Sequence, residues 1–301
     1  MKYTTTIIMA LLTTLIVLTS TGCNENEMQN EKTFVMANTK IENELIKYNQ
    51  VLPKQIKTKS IGIGYAGWIS VVLADGAGAY KGAKLGGKIG AIFGPKGAGV
   101  GAIVGGAIIG GASSYSQYQT AKKISEFSPY SLNNKENLEI EDFEAGFNST
   151  KGNYESGDYD LGLAAGIDSC YVRIGIQHNR ILNGVQLIHF EDKEQTSNNL
   201  TELELQIINS SDFSNGYYEI TSNPLEINTE PGVVADRIIN LYIDAISNSC
   251  SSEEDIITIT SNYTQIVKSS SELSEAEKEW LFSGFATMCY SYKYWNELLD
   301  F

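Results

Sequence analysis

Asp158 and Asp160 stand at alternate positions in Asp158-Tyr159-Asp160-Leu161-Gly162, the way a calcium-binding loop begins, because a hard cation gathers oxygen ligands from alternating residues of one turn. The pattern stops there. Its third ligand pair is missing, and Ser169 occupies position twelve, where a bidentate glutamate is needed. His178 and His189 would fall on nearly the same face of a helix but about 16 Å apart along its axis, too far to share one metal ion. They are expected as core or surface histidines. Gly62-Ile63-Gly64-Tyr65-Ala66-Gly67 has the outline of a dinucleotide-binding turn, yet no convincing strand precedes it and no βαβ unit follows. Neither a GxSxG elbow, an HExxH helix nor a CxxC pair occurs in the chain. The sequence therefore assigns no catalytic residue, no metal ligand and no cofactor, and the chain is expected not to be an enzyme.

The cysteines carry the remaining candidate chemistry. Cys23 closes Leu18-Thr19-Ser20-Thr21-Gly22-Cys23, after Met1-Lys2 and an apolar run from Ile7 to Leu18 that reads as a secretory signal too short for a membrane span. This Gly-Cys junction resembles the lipobox of bacterial lipoproteins, with Ser20 replacing the usual leucine three residues before the cysteine. The resemblance implies that residues 1–22 are a lipoprotein signal peptide and that Cys23 becomes the lipidated first residue of a palmitate-bearing, outer-membrane protein. Asn24-Glu25-Asn26-Glu27 is similar to surface-export signals of some Gram-negative lipoproteins, which implies surface exposure. Cys170, Cys250 and Cys289 remain, and outside the cytoplasm they allow one disulfide plus one free thiol. Spacing does not fix the pairing. Aromatics crowd into Cys289-Tyr290-Ser291-Tyr292-Lys293-Tyr294-Trp295, which reads as core packing in a last helix.

The element that must position everything else lies between Ile61 and Tyr115, where 17 of the 28 glycines fall. Gly78, Gly82, Gly86, Gly90 and Gly94 recur every fourth residue, and the spacing resumes at Gly97, Gly101, Gly105, then Gly106 and Gly110. Glycine in a helix costs roughly 1 kcal/mol against alanine. So many are tolerable only where the missing side chains let another backbone approach, as small-xxx-small spacing does. At helical pitch the first row spans about 60° to 220° when Lys81 defines zero, while Lys84 and Lys88 lie at about 300° and 340°. Lysines and glycines therefore form opposed stripes. Gly94-Pro95-Lys96-Gly97 supplies a stop and a turn, so the spacing predicts a helical hairpin with arms at Ala66 to Phe93 and Ala98 to about Lys122. The second arm has no charge between Lys96 and Lys122. Its strongly apolar part, Gly97 to Ala112, is nearer the length of a core helix than of a confident membrane span.

Charge divides the chain: residues 1–59 carry 7 basic and 5 acidic groups, residues 60–123 carry 6 and 1, and residues 124–301 carry 9 and 30. Such an acidic body excludes nucleic acid as a partner. It also offers Lys81, Lys84 and Lys88 an acidic partner within the same molecule, as an alternative to membrane lipid. A polar tether and an amphipathic helix from Phe34 to Val51 occupy residues 23–60, the hairpin residues 61–123, and a polar linker residues 124–166. Helical apolar spacing returns at Ile176 to Phe190, Leu200 to Ile208, Val233 to Ser249, Glu253 to Ser269 and Glu275 to Leu298. Ser251-Ser252-Glu253-Glu254 and Ser274-Glu275-Ala276-Glu277 match capping boxes. The expected fold is mainly α, a glycine-zipper hairpin joined to an acidic α-helical domain over residues 167–301.

The zipper resembles the segments found in envelope lipoproteins of the 17-kDa surface-antigen type, and is also similar to the GxxxG helices of two-peptide bacteriocins. The resemblance covers the signal and residues 66–112, and implies contact with membrane lipid and self-association through the zipper. Three functions stay open at this point. The hairpin associates with or inserts into membrane and presents the acidic domain, or it damages target membranes, or it is internal packing in an interaction or immunity-type module. No particular protein partner follows from the residues.

Overall fold

Glycine repeats at helical spacing, broken once by Gly94-Pro95, fold as the sequence predicts: a computed structural model, which describes residues 38–53, 64–125, 165–182 and 202–299, is mainly α. Helix α1 is Lys40–Val51, and the hairpin arms are α2, Gly64–Gly90, and α3, Pro95–Ser125, joined by a 3₁₀ turn at Ala91–Phe93. There follow α4 (Ser169–Leu182), α5 (Glu202–Ile208), α6 (Ser211–Ser222), α7 (Val234–Ser249), α8 (Glu253–Ser269) and α9 (Glu275–Leu299). No strand occurs among the described residues.

The helices begin where side chains can satisfy the free amides of a first turn. Thr39 and Glu42 form a reciprocal capping box on α1, and Ser274 and Glu277 form another at the start of α9, with bonds of 3.2 and 2.9 Å. Glu277 does more, since its second oxygen accepts from the amide of Val234 at 3.1 Å and so also serves the start of α7. At α8 the cap falls one residue later than the sequence match, on Ser252, which accepts from the amide of Asp255.

Hairpin and acidic helices do not form separate cores. From Thr39 onward the described residues belong to one compact unit, in which α9 lies along α2, α4 packs against α3 and α9, and α5 and α6 contact both arms. Tyr80 and Trp68 of α2 share one buried cluster with Ile239 and Tyr242 of α7, Tyr263 of α8 and Phe285 of α9. A second cluster joins Val104, Ile108 and Ile109 of α3 to Ile174 of α4 and Phe213 of α6. Among the described residues only Pro95–Tyr118 is long and apolar enough, by length and composition, to cross a membrane, and 78% of its most apolar window is buried against protein.

Candidate functional site

The glycine rows meet at backbone level. A methyl group added to Gly82 would stand 2.2 Å from the carbonyl oxygen of Gly105, one on Gly86 2.0 Å from that of Gly101, and one on Gly90 2.0 Å from that of Gly97. The contacts are reciprocal, with methyls on Gly97, Gly101 and Gly105 reaching the carbonyls of Gly90, Gly86 and Gly82 at 2.4, 2.0 and 2.2 Å. Gly78 closes the row against Ser113, while Gly106 and Gly110 lie beside Ala79 of α2 and beside Ile174 and His178 of α4. Gly94 departs from the packing role given by its spacing. It has φ 89° with nothing within 4 Å, so it turns the chain rather than packing a helix.

On the opposite face of α2 the three lysines meet the acidic part of the chain. Lys84 donates to both oxygens of Asp236, at 2.8 and 3.0 Å, and pairs with Glu230 at 2.9 Å. Asp236 is 1% exposed and fully engaged, accepting also from Tyr80 Oη at 2.6 Å and from the amide of Glu230 at 2.9 Å. Lys81 donates to the carbonyls of Asn223 and Glu226 at 2.9 and 3.0 Å, and burial pushes its pKa down to about 8 against the pull of Glu226 and Glu219. Lys88, more exposed, lies 3.6 Å from Glu230. Between these lysines and Glu219, Glu226 and Glu230 runs a cleft of about 280 Å³. Its two walls carry opposite charge and already neutralise each other.

The remaining candidates occupy structural positions. His178 is fully buried, its Nε2 3.3 Å from Asp75 Oδ2 and its Nδ1 2.9 Å from Asn179 Oδ1; His189 lies outside the described residues. Asp75 would be costly in lipid. Here it accepts from Ser291 and, at 3.2 Å, from Trp295 Nε1. The aromatic run of α9 is core, as expected: Tyr292 meets Trp68 with centroids 4.8 Å apart and Trp295 stacks on Tyr118 at 5.5 Å. Among the described residues no disulfide joins Cys170, Cys250 and Cys289, so the pairing that the sequence allows is not formed. Cys289 donates instead to Thr260 at 3.2 Å, and Cys250 to the carbonyl of Ser252 at 3.6 Å. Burial pushes the thiol of Cys289 up to about 12 and raises that of Cys250 as well, so neither is a ready nucleophile. No group of three or more His, Cys, Asp or Glu able to hold a metal exists among the described residues. Cys23 and the Asp158–Asp160 segment lie outside them.

Sequence spacing missed several close approaches, among them Gly175 of α4 against Tyr290 and the carbonyl of Ala286 on α9. Gly284 of α9 crosses Gly76 of α2, a methyl on the former standing 3.0 Å from the latter's carbonyl oxygen, and Gly216 of α6 receives Leu85. Both glycines are isolated in sequence and belong to no repeat.

Five described carboxyls link stability to pH: burial raises the pKa of Asp244 and Glu279, which favours the folded state on mild acidification, and three others are depressed. Burial opposes the charge of Glu42, but bonds from Arg237 and Thr39 hold its carboxyl below the ordinary value. The bond from Lys84 does the same for Glu230, and the bonds from Ser251 and Ser252 outweigh burial at Asp255. A depressed folded pKa stabilises above the unfolded value and is lost as pH falls through the folded one. The melting temperature is therefore expected to hold from neutrality to about pH 5 and fall below about pH 4. A thermal series with rising stability below pH 4 would contradict these pairings.

No protein-family model matches the chain, and no curated protein or solved structure is significantly similar to it.

Proposed function

We propose that this chain is a non-catalytic, lipid-anchored protein of the bacterial outer membrane. Cys23 holds it to the bilayer, and the glycine-zipper hairpin is the internal spine of an acidic helical body displayed beside the membrane, where it binds other molecules. What supports the internal-spine part of this reading is that the glycine stripe and two lysines of the opposite stripe are already engaged within the chain. The glycines of one arm face those of the other, and Lys81 and Lys84 are held by carbonyls and carboxylates of the body. Insertion of α2 and α3 would have to strip α4 and α9 from them and break the buried Lys84–Asp236 pair, which is expensive for charges leaving a matched site.

Cys23→Ala, in a chain exported by an ordinary cleavable signal in place of residues 1–22, is expected to abolish lipid labelling and to move the chain from the membrane pellet to the supernatant after a high-pH carbonate wash. Each buried acyl methylene contributes about 0.8 kcal/mol, and a packed hairpin supplies no substitute. Retention in the washed pellet would mean that the hairpin inserts unaided.

One observation favours a membrane-damaging protein instead: Pro95–Tyr118 has the length and composition of a span and is sheathed by neighbouring helices. A soluble carrier of an insertable hairpin needs that arrangement. Dye release from vesicles at nanomolar protein supports this second reading, and intact vesicles support the first.

A further inference from the structure

The helical body stops short of the hairpin's apex. There the chain reverses through one 3₁₀ turn, Ala91–Phe93, and through Gly94 at φ 89°, and Ala91, Ile92, Phe93, Pro95 and Lys96 are all exposed. Ile92 is 79% exposed and Phe93 46%. The turn itself needs neither side chain, because Gly94 and Pro95 supply its geometry. Single exposed hydrophobics require no explanation. Two adjacent ones at the outermost turn of a hairpin, bracketed by lysines, are a different pattern. Lys88 precedes them with its side chain 55% exposed, and Lys96 follows, itself exposed. No aspartate or glutamate occurs between Asp75 and Glu126, so the apex is a basic point on a chain of net charge −14. Glu230, 3.6 Å from Lys88, is itself 52% exposed and can give way to a phosphate.

Apolar side chains that reach the acyl boundary, flanked by cations at phosphate level, are how a soluble element rests on an anionic bilayer. We propose that Ile92 and Phe93, with Lys88 and Lys96, dock the hairpin apex on an anionic lipid surface. The inference rests on the lipid-anchored reading for its setting: a tether makes a weak contact count, since the second binding event becomes intramolecular. The contact is shallow. It leaves α2 and α3 packed and is too weak to survive a carbonate wash.

The test uses the mature chain, residues 23–301, carrying Cys23→Ala, with and without Ile92→Ser/Phe93→Ser, in sedimentation with vesicles of phosphatidylglycerol and phosphatidylcholine or of phosphatidylcholine alone. Binding to the anionic vesicles at low salt is expected to fall about tenfold or more on losing the two apolar side chains, and about fivefold for each of Lys88→Gln and Lys96→Gln. The serine variant is expected to melt with its parent, because both side chains are exposed. A Phe93→Trp difference spectrum is expected to shift to the blue with anionic vesicles only. Equal binding by parent and serine variant, equal binding to both vesicle types, or an apex-dependent dimer in place of vesicle binding would each overturn the proposal. Should Cys23→Ala chain stay in carbonate-washed membranes, the anchoring reading fails, while the vesicle difference still decides the apex.

Discussion

Gly86→Leu and Gly101→Leu are each expected to lower stability by about 3 kcal/mol or more, the upper range for forcing volume into a filled core. A methyl at either position already stands 2.0 Å from a carbonyl oxygen of the other arm. Backbone cannot rotate aside as a flexible side chain would, so the arms must separate along their whole length. For a body of this size the loss corresponds to a fall in melting temperature of roughly 6–12 °C. Helix propensity predicts the reverse sign, since leucine forms helix better than glycine. The decisive control is Gly99→Ala, because Gly99 lies on α3 with nothing within 4 Å of an added methyl. There propensity acts alone, and a gain of about 0.5–1 kcal/mol is expected. Ala83 would not serve, being fully buried against the hairpin and its cover. Thermal melts in which the Gly86 and Gly101 variants match or exceed the parent would end the backbone-contact account.

Asp236→Ala is expected to be the most damaging single change outside the glycines, at about 3–5 kcal/mol. The loss leaves Lys84, whose side chain is 10% exposed, as a buried cation short of its main partner, and removes the acceptor used by Tyr80 and by the amide of Glu230. Glu230 remains beside Lys84 at 2.9 Å but is half-exposed and compensates only in part. If the cost is an unpaired buried charge rather than lost packing, Lys84→Met added to Asp236→Ala should recover a substantial share of it, since replacing both partners by apolar groups is often nearly neutral. Urea titrations of the two single variants and the double variant complete the cycle. Strict additivity would show that the pair does not couple hairpin to body.

The hairpin was legible because its signal is local: glycine every fourth residue within each arm and Gly94-Pro95 between them need no knowledge of the rest of the chain. Helix ends at Ser274 and near Ser252 were legible for the same reason. What covers the hairpin was not. Asp236 is one of the 30 acidic residues after position 123, and nothing in its neighbourhood marks it as the partner of Lys84, 152 residues earlier. Composition changes sharply after the hairpin, which suggests a separate domain, yet α2, α7 and α9 share one core. Helix α6 escaped notice because Ser211–Ser222 is rich in polar residues and buries only Phe213 deeply. Its place depends on Gly216 receiving Leu85, a contact between distant segments. Helix α4 starts at Ser169 rather than near Ile176, since Val172 and Ile174 also face the core.

The claim at the centre of this account is that protein, not lipid, surrounds the hairpin. All three tryptophans of the chain lie against it: Trp68 within α2 on Tyr292, Trp280 beside Gly87, and Trp295 on Tyr118. Trp68 is about 36 Å from the apex by helical rise, beyond the reach of a shallow docking contact, whereas Trp280 beside Gly87 is only about 8 Å from it and is replaced by Phe for the measurement. Intrinsic fluorescence of the full-length, lipid-anchored chain reconstituted in vesicles containing brominated acyl chains therefore reports the surroundings directly. Emission nearly unchanged from that in unbrominated vesicles is the predicted result, and strong quenching, showing tryptophans among acyl chains, would contradict it.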